Sequence, residues 1–296
     1  MDKIIIFGSN GHIGSKLHES LSKKYNIYTS SREQKVNTSN FIKVNLDDKE
    51  SIDYFVEKNP KFNVIIFLVG LAHNKGSRKD LSKHEKVNFL TLKNLLDTLR
   101  LKDKMPDKVI FTSSVSVYGE KIDIEKYSEA MPLLPYSPYA LTKKQAEEYL
   151  LDSYKNKTWI LRLAPVYHSD FQLNINRRTL ISNIFYRVSN GKTKLSLCNM
   201  KNIEHCIDSI INNSIPPSIY NVSDSKTYTY NDLLLFQKAK FILYIPSFLI
   251  FILFRLGLLI NNIYLIENSI KLLSDNIFSS RKLQKFISLN YNLNNE

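Results

Sequence analysis

The chain has 296 residues, 43% hydrophobic and 23% charged, with a formal net charge of +13 at pH 7; the length is ample for a large core and the balance is that of a folded protein. The basic residues are scattered, with no aromatic-interleaved basic stretch, so the charge reads as a solvated surface that attracts nucleotides and not as a nucleic-acid site. Cys198 and Cys206 stand in no metal-ligand spacing, so neither a metal centre nor a disulfide is expected, and two inert thiols suit a reducing compartment.

In chain order, Lys3 to Phe7 reads as a buried parallel strand. Gly8, Gly11 and Gly14 follow at GxxGxxG spacing and open an amphipathic stretch through Leu17 and Leu21. Glycines between a strand and a helix permit a tight turn and a close backbone approach to a pyrophosphate seated on helix N–H groups. Gly8, Asn10, Gly11, His12, Ile13 and Gly14 are therefore the expected dinucleotide cradle. With Lys3 leading directly into the fold, no secretory signal is expected.

Residues 111–119 form an apolar run ending in hydroxyls, with Ser114 at the strand's carboxyl end and 139 − 114 = 25 residues before Tyr139. Ser137 suits an N-cap and Pro138 the first helical position, so Tyr139 falls in the first turn, where the helix dipole favours a phenolate. Lys143, four residues on, shares that face, and its charge lowers the phenol's pKa. A phenol tuned this way can exchange a proton with a sugar hydroxyl or ketone, against which Ser114 would hold its own hydroxyl.

The run 241–260 is nearly long enough to cross a bilayer, but Pro246 and Arg255 argue against spanning. It is expected as a buried helix. The alternative is an interfacial helix whose neighbours Lys238 and Lys240, with Arg255, meet anionic lipid.

Together these segments resemble the extended short-chain dehydrogenase/reductases, the NAD-dependent epimerase/dehydratase family that modifies nucleotide sugars. Residues 62–73, Val87-Asn88, 161–167 and 219–222 resemble further segments of that family, and the resemblance covers about residues 1–235. It implies an α/β fold, a Rossmann-type doubly wound parallel sheet with a smaller C-terminal substrate-binding region, as the alternation of strands and helical stretches also suggests. The expected domains are 1–166, binding the dinucleotide, and 167–296, covering the substrate and including an apolar helical segment over 241–260.

The resemblance further implies that Ser114, Tyr139 and Lys143 are catalytic, with Lys143 also holding the nicotinamide ribose. It places Val69, Gly70, Leu71 and Asn88 beside the cofactor. Asn45-Leu46 stands where family members carry Asp and an apolar residue against the adenine. Asn174 matches a family asparagine near the sugar diphosphate, although His168 replaces the glycine usual in that stretch. Arg177 and Arg178 are suited to phosphate oxygens, and Lys194 lies nearest the position of a diphosphate-gripping arginine.

The second strand, 26–32, ends in Ser31 and Arg32 with no acidic residue for an adenosine ribose, so NADP is favoured and NAD is the alternative. Family dehydratases carry Asp-Glu after the strand's serine or threonine, where this chain has Val115-Ser116, so dehydration is not expected. That leaves hydride transfer at sugar carbon 4, with a 4-ketoreductase favoured slightly. A sugar-nucleotide 4-epimerase is the alternative, and a non-catalytic nucleotide-binding regulatory protein a further one. The expected partner is a nucleotide-diphosphate sugar, with a homodimer usual among relatives. The expected compartment is the cytoplasm, at the inner membrane surface if 241–260 meets lipid.

Overall fold

The protein is described here by a computed structural model over residues 2–35, 38–71, 80–119, 121–122 and 124–295. The main strands are β1 (Lys3–Phe7), β2 (Asn26–Ser31), β3 (Phe41–Lys43), β4 (Val64–Phe67), β5 (Lys108–Ser114), β6 (Thr158–Leu163), β7 (Leu180–Ile181), β8 (Ile184–Val188), β9 (Ile219–Val222) and β10 (Ile242–Ile245). The main helices are α1 (His12–Leu21), α2 (Lys49–Lys58), α3 (Thr91–Leu101), α4 (Pro138–Tyr154), α5 (Leu173–Thr179), α6 (Met200–Ile211), α7 (Tyr230–Phe236), α8 (Ser247–Leu259) and α9 (Ile263–Leu273).

Seven strands form one sheet in the order β9-β6-β5-β4-β1-β2-β3. The ladders joining β1 to β2 and β4, β2 to β3, and β4 to β5 are all parallel. Strands covered on both faces need continuous apolar runs, and Ile4, Ile5, Ile6 and Phe7 in β1 and Val64 to Phe67 in β4 are all buried. The order reverses between β1 and β4, and a doubly wound sheet opens its binding crevice at the carboxyl ends beside such a switch point. The Rossmann-type sheet expected from the sequence is thus the one the chain adopts.

The chain forms two compact units. The first comprises Met1–Val117, Ser137–Arg162 and Glu204–Tyr220. Its core joins Ile5, Phe7 and Phe67 of the sheet to Phe55 of α2, Leu95 of α3 and Leu150 of α4. The second comprises Tyr118–Tyr136, Leu163–Ile203 and Asn221–Glu296. Buried Asp224 organises it, accepting from the Asn199 amide (2.7 Å), Asn202 Nδ2 (2.8 Å), Tyr167 Oη (2.8 Å) and Tyr228 Oη (2.7 Å). Burial pushes its carboxyl pKa up, and these donors work in the opposite direction.

The apolar segment 241–260 differs from the expected single buried helix. Pro246 divides it into β10, an edge strand paired in parallel with β8, and α8. Ile242 to Tyr244 favours strand pairing, while Pro246 has no N–H for a ladder and stands as the N-cap of α8. Within α8 only Ile250 and Gly257 are buried. One side of the helix packs on α9, and Phe248, Phe251, Ile252 and Leu256 are exposed. Among the described residues no helix is long and apolar enough to cross a membrane.

Candidate active site

Gly8 follows β1 with φ +85°, a conformation that glycine alone adopts cheaply. Its missing Cβ would lie 3.0 Å from the Val69 amide nitrogen, so the ends of β1 and β4 approach only because residue 8 has no side chain. Gly14 is tighter still, since a Cβ would stand 2.4 Å from the Gly8 carbonyl oxygen and 2.8 Å from Ser9 Cα. These two glycines are required by the fold itself. Gly11 is not, because its Cβ would meet only the Gly8 carbonyl at 3.5 Å, an ordinary contact. The space over Gly11 therefore stays open at the start of α1, which has no side-chain cap and no acidic residue in its first turn. An anion fits this arrangement.

The turn is also rich in polar atoms that the protein leaves without partners. Ser9 Oγ and Asn10 Oδ1, together with Asp47 Oδ1 beyond β3, are buried and have no hydrogen-bond partner among the described residues. Asn10 Nδ2 donates to Ser31 Oγ (3.0 Å) and to the Glu33 carbonyl (2.7 Å), tying the glycine turn to the end of β2. Ser31 Oγ donates to the Glu33 carbonyl. Arg32 extends outward, with its side chain 76% exposed and its guanidinium 3.9 Å from Asp47. Asn45 turns the chain after β3, where its Oδ1 accepts from the Asp47 amide (3.2 Å) and its own amide donates to Ser51 Oγ (2.9 Å). Leu46 beside it is buried. The open cradle at Gly11 and the unpartnered oxygens fit a dinucleotide lying across β1, β2 and β4.

Beyond β4, Gly70 is exposed, and a Cβ there would lie 3.2 Å from Lys143 Nζ and 3.5 Å from Asn88 Oδ1. Buried Asn88 holds this turn by accepting from the Leu71 amide (2.6 Å), while its Nδ2 donates to Thr142 Oγ1 (3.0 Å) and lies 3.2 Å from His84 Nδ1. Thr142 Oγ1 in turn bonds the carbonyls of Pro138 (2.8 Å) and Tyr139 (3.1 Å) in the first turn of α4. One carboxamide thereby couples the turn 69–71 to the helix carrying Tyr139 and Lys143. Ala72 and His73, which end the matched segment 62–73, lie outside the described residues.

Helix α4 begins as the sequence predicts, with Ser137 Oγ accepting from the Ala140 amide (3.4 Å) and Pro138 in the first turn. Tyr139 is half-buried at its start. Lys143, one turn on, is buried, with Nζ donating to the Thr112 carbonyl (2.9 Å) and the Val69 carbonyl (3.5 Å) and lying 4.6 Å from the centre of the Phe111 ring. Burial pulls its pKa down to about 7 despite the opposing pull of Glu147. Ser114 ends β5 half-buried, its Oγ accepting from the Ser116 amide (3.2 Å) and bonding Ser116 Oγ (2.9 Å).

Beneath Lys143 lies a charged set that the sequence reading did not single out. Arg162 of β6 donates to Glu147 of α4 through Nη2 (2.6 Å) and through Nε to both carboxylate oxygens (3.1 Å each), and Ser113 Oγ also donates to Glu147. Both charged side chains are almost fully buried, so each depends on the other. The i,i+4 spacing of Lys143 with Glu147 is a sequence signal for this carboxylate alone, and none marks Arg162 or Ser113 as its partners.

Four predicted substrate residues belong to the second unit. Asn174 Nδ2 donates to the Val166 carbonyl (2.8 Å), and Arg178 Nη1 reaches back to the Asn174 carbonyl (2.6 Å), so both brace α5. Arg177 and Lys194 are exposed. Among the described residues no group of three or more His, Cys, Asp or Glu side chains is arranged to hold a metal ion.

Comparison with known proteins identifies the family and the fold. The family model described as "NAD dependent epimerase/dehydratase family" matches residues 4–204. The chain is 24% identical over 192 residues to an N-acetyl-alpha-D-glucosaminyl-diphospho-ditrans,octacis-undecaprenol 4-epimerase of Escherichia coli O157:H7, covering 64% of this chain and 55% of that one. The matches span between 31% and 55% of the length of the curated relatives. Among solved structures, the ADP-L-glycero-D-manno-heptose-6-epimerase of Helicobacter pylori superposes with a TM-score of 0.74 at 16% identity, over 99% of this chain and 92% of that one. The UDP-glucose 4-epimerase of Thermus thermophilus, in complex with NAD, gives 0.70 at 20% identity, over 98% and 95%. At such identities the likeness is one of fold.

Proposed function

Because the chain belongs to the NAD dependent epimerase/dehydratase family, we propose that it is an enzyme inverting carbon 4 of a diphosphate-linked sugar through a transient 4-keto sugar. A dinucleotide bound over Gly8 to Gly14, Ser31, Arg32, Asn45, Leu46 and the turn Val69 to Leu71 would supply hydride acceptance and return at carbon 4. Tyr139 Oη takes the proton of the 4-hydroxyl and returns it once the keto sugar has presented its other face. Ser114 Oγ holds the same oxygen, with Ser116 orienting that hydroxyl. Lys143 stands one helical turn from Tyr139, where its charged form favours the phenolate needed to accept the proton. Asn88 positions both ends of this arrangement, through Leu71 and Thr142. In the second unit, Arg177 and Lys194 are exposed cations suited to phosphate oxygens, and Asn174 and Arg178 brace α5.

The observation that carries this reading is the buried ammonium site of Lys143 on the helix face of Tyr139, at the carboxyl ends of β4 and β5. Val115-Ser116 supplies no carboxylic acid beside Ser114, which argues against water loss and for a simple keto–alcohol exchange. Relatives bearing 4-epimerase names support inversion. A second reading, an NADP-dependent 4-ketoreductase, is favoured by Arg32, whose exposed guanidinium suits a 2′-phosphate.

The test is to incubate the full chain with NAD and a panel of UDP- and dTDP-hexoses and to resolve the products. The expected outcome is a carbon-4 epimer with no net change in nicotinamide absorbance. Tyr139→Phe should lower kcat by about 100-fold or more with dinucleotide affinity unchanged. Full turnover by Tyr139→Phe would refute the proton transfer, and stoichiometric NADPH consumption on 4-keto sugar nucleotides without epimerisation would establish the reductase instead.

A further inference from the structure

The second unit carries a surface that neither the dinucleotide nor a sugar accounts for. From Phe241 to Ile260 the chain forms edge strand β10 and helix α8, and nearly all of their large apolar side chains face solvent. Phe241 is 86% exposed, Phe248 61% and Leu259 82%. Soluble monomers rarely display contiguous apolar surface on this scale without a use for it.

From this surface we infer that β10 and α8 form a docking site for an anionic lipid bilayer, held at the interface and not across it. Three observations select lipid over a protein partner. First, α8 is apolar on every side and not along one stripe. It meets α9 at Gly257, where a Cβ would lie 3.0 Å from Leu265 Cβ and 3.2 Å from the Ile266 amide nitrogen, and Phe248, Phe251, Ile252 and Leu258 all remain exposed. A helix without a polar face is suited to a surrounding apolar phase, whereas a protein groove covers one face.

Second, the charge is one-signed. Between Leu233 and Ile266 there is no acidic residue, and Lys238, Lys240 and Arg255 lie within that stretch. Arg255 lies over the Phe251 ring at 5.5 Å. These cations complement anionic headgroups, whereas a second copy of the chain would bring like charges together. Third, α8 has 13 residues, about 20 Å of helix against the roughly 30 Å of a bilayer's hydrocarbon core. It is long enough to lie in the boundary layer and too short to traverse it. Tyr244 and Tyr264, both exposed, supply the amphipathic rings favoured at headgroup depth.

The experiment is flotation of the full chain with vesicles of phosphatidylethanolamine and phosphatidylglycerol, beside vesicles of phosphatidylcholine alone. The chain should float with the anionic vesicles and should be released as salt is raised. Phe248→Ser/Phe251→Ser/Ile252→Ser, all exposed positions, should cut partitioning by about tenfold or more while the thermal transition stays in place. Lys238→Glu/Lys240→Glu/Arg255→Glu should weaken binding to the anionic vesicles selectively. The inference is overturned if the unaltered chain floats with neither vesicle. It is equally overturned if sedimentation shows a dimer that the triple serine variant dissociates, which would assign the surface to a second copy. Either failure leaves the proposed sugar chemistry untouched, because that reading rests on Tyr139, Lys143 and Ser114 of the first unit.

Discussion

Lys143 shows how one residue reports both fold and chemistry. Its ammonium is enclosed by two backbone carbonyls and an aromatic ring, and burial brings its pKa down from 10.5 to about 7. Between pH 7 and 10.5 the unfolded chain binds a proton that the folded chain does not, so this group makes stability rise with pH across that window. Below pH 7 both states are charged and the contribution is flat. Lys143→Met should therefore gain stability relative to the parent at pH 7 and lose that relative gain by pH 10. Paired thermal melts across this range check the slope, and a stability difference independent of pH would show that the lysine is not held near neutrality. The position of Lys143 was legible from its spacing to Tyr139, but its depth was not, because the carbonyls that receive it come from β5 and from the turn after β4.

At the scale of elements, the strand–turn–helix of β1 and α1 separates what the fold needs from what a ligand needs. A Cβ at Gly14 would collide with the backbone of Gly8 and Ser9, so Gly14→Ala should cost about 1–3 kcal/mol of stability. A Cβ at Gly11 meets nothing closer than 3.5 Å, so Gly11→Ala should melt near the parent temperature yet bind a dinucleotide at least about tenfold more weakly. Calorimetry of folding and of NAD and NADP binding separates the two. Equal losses of stability in both variants would contradict the assignment. This element was readable because its signals are local: an apolar run, glycines at fixed offsets, then helical periodicity. The start of α4 was readable for the same reason. The Glu147–Arg162–Ser113 set was not, since Arg162 and Ser113 lie 15 and 34 residues from Glu147 and meet it only once α4 covers β5 and β6. The apolar run likewise marked 241–260 without saying what covers it: a buried helix was expected, and only the packing shows that one side of α8 is covered and the rest exposed.

At the scale of the molecule, the first unit draws on three separate stretches of chain. Lys108 Nζ donates to the Ile210 carbonyl (2.8 Å) and also to that of Ile211, and Trp159 Nε1 donates to the Ile215 carbonyl (2.9 Å). These acceptors lie within residues 204–220, which also carry the first half of β9. A fragment of residues 1–166 would lose the sheet's β9 edge and leave a buried lysine and indole without their acceptors. It should not reach a native fold, as a collapsed or poorly dispersed amide NMR spectrum would show, whereas the full chain should give a resolved one. A well-folded 1–166 fragment would mean that the return segment contributes little.

The bare sides of α8 also bear on work at the bench. A concentrated, detergent-free stock has nowhere to hide Phe248, Phe251 and their neighbours except against other molecules. The outer edge of β10, which has no partner strand among the described residues, adds a ready seam for clumping. Recovery and shelf life should improve with a mild surfactant present from lysis onward, and assays run without it will understate the amount of competent protein.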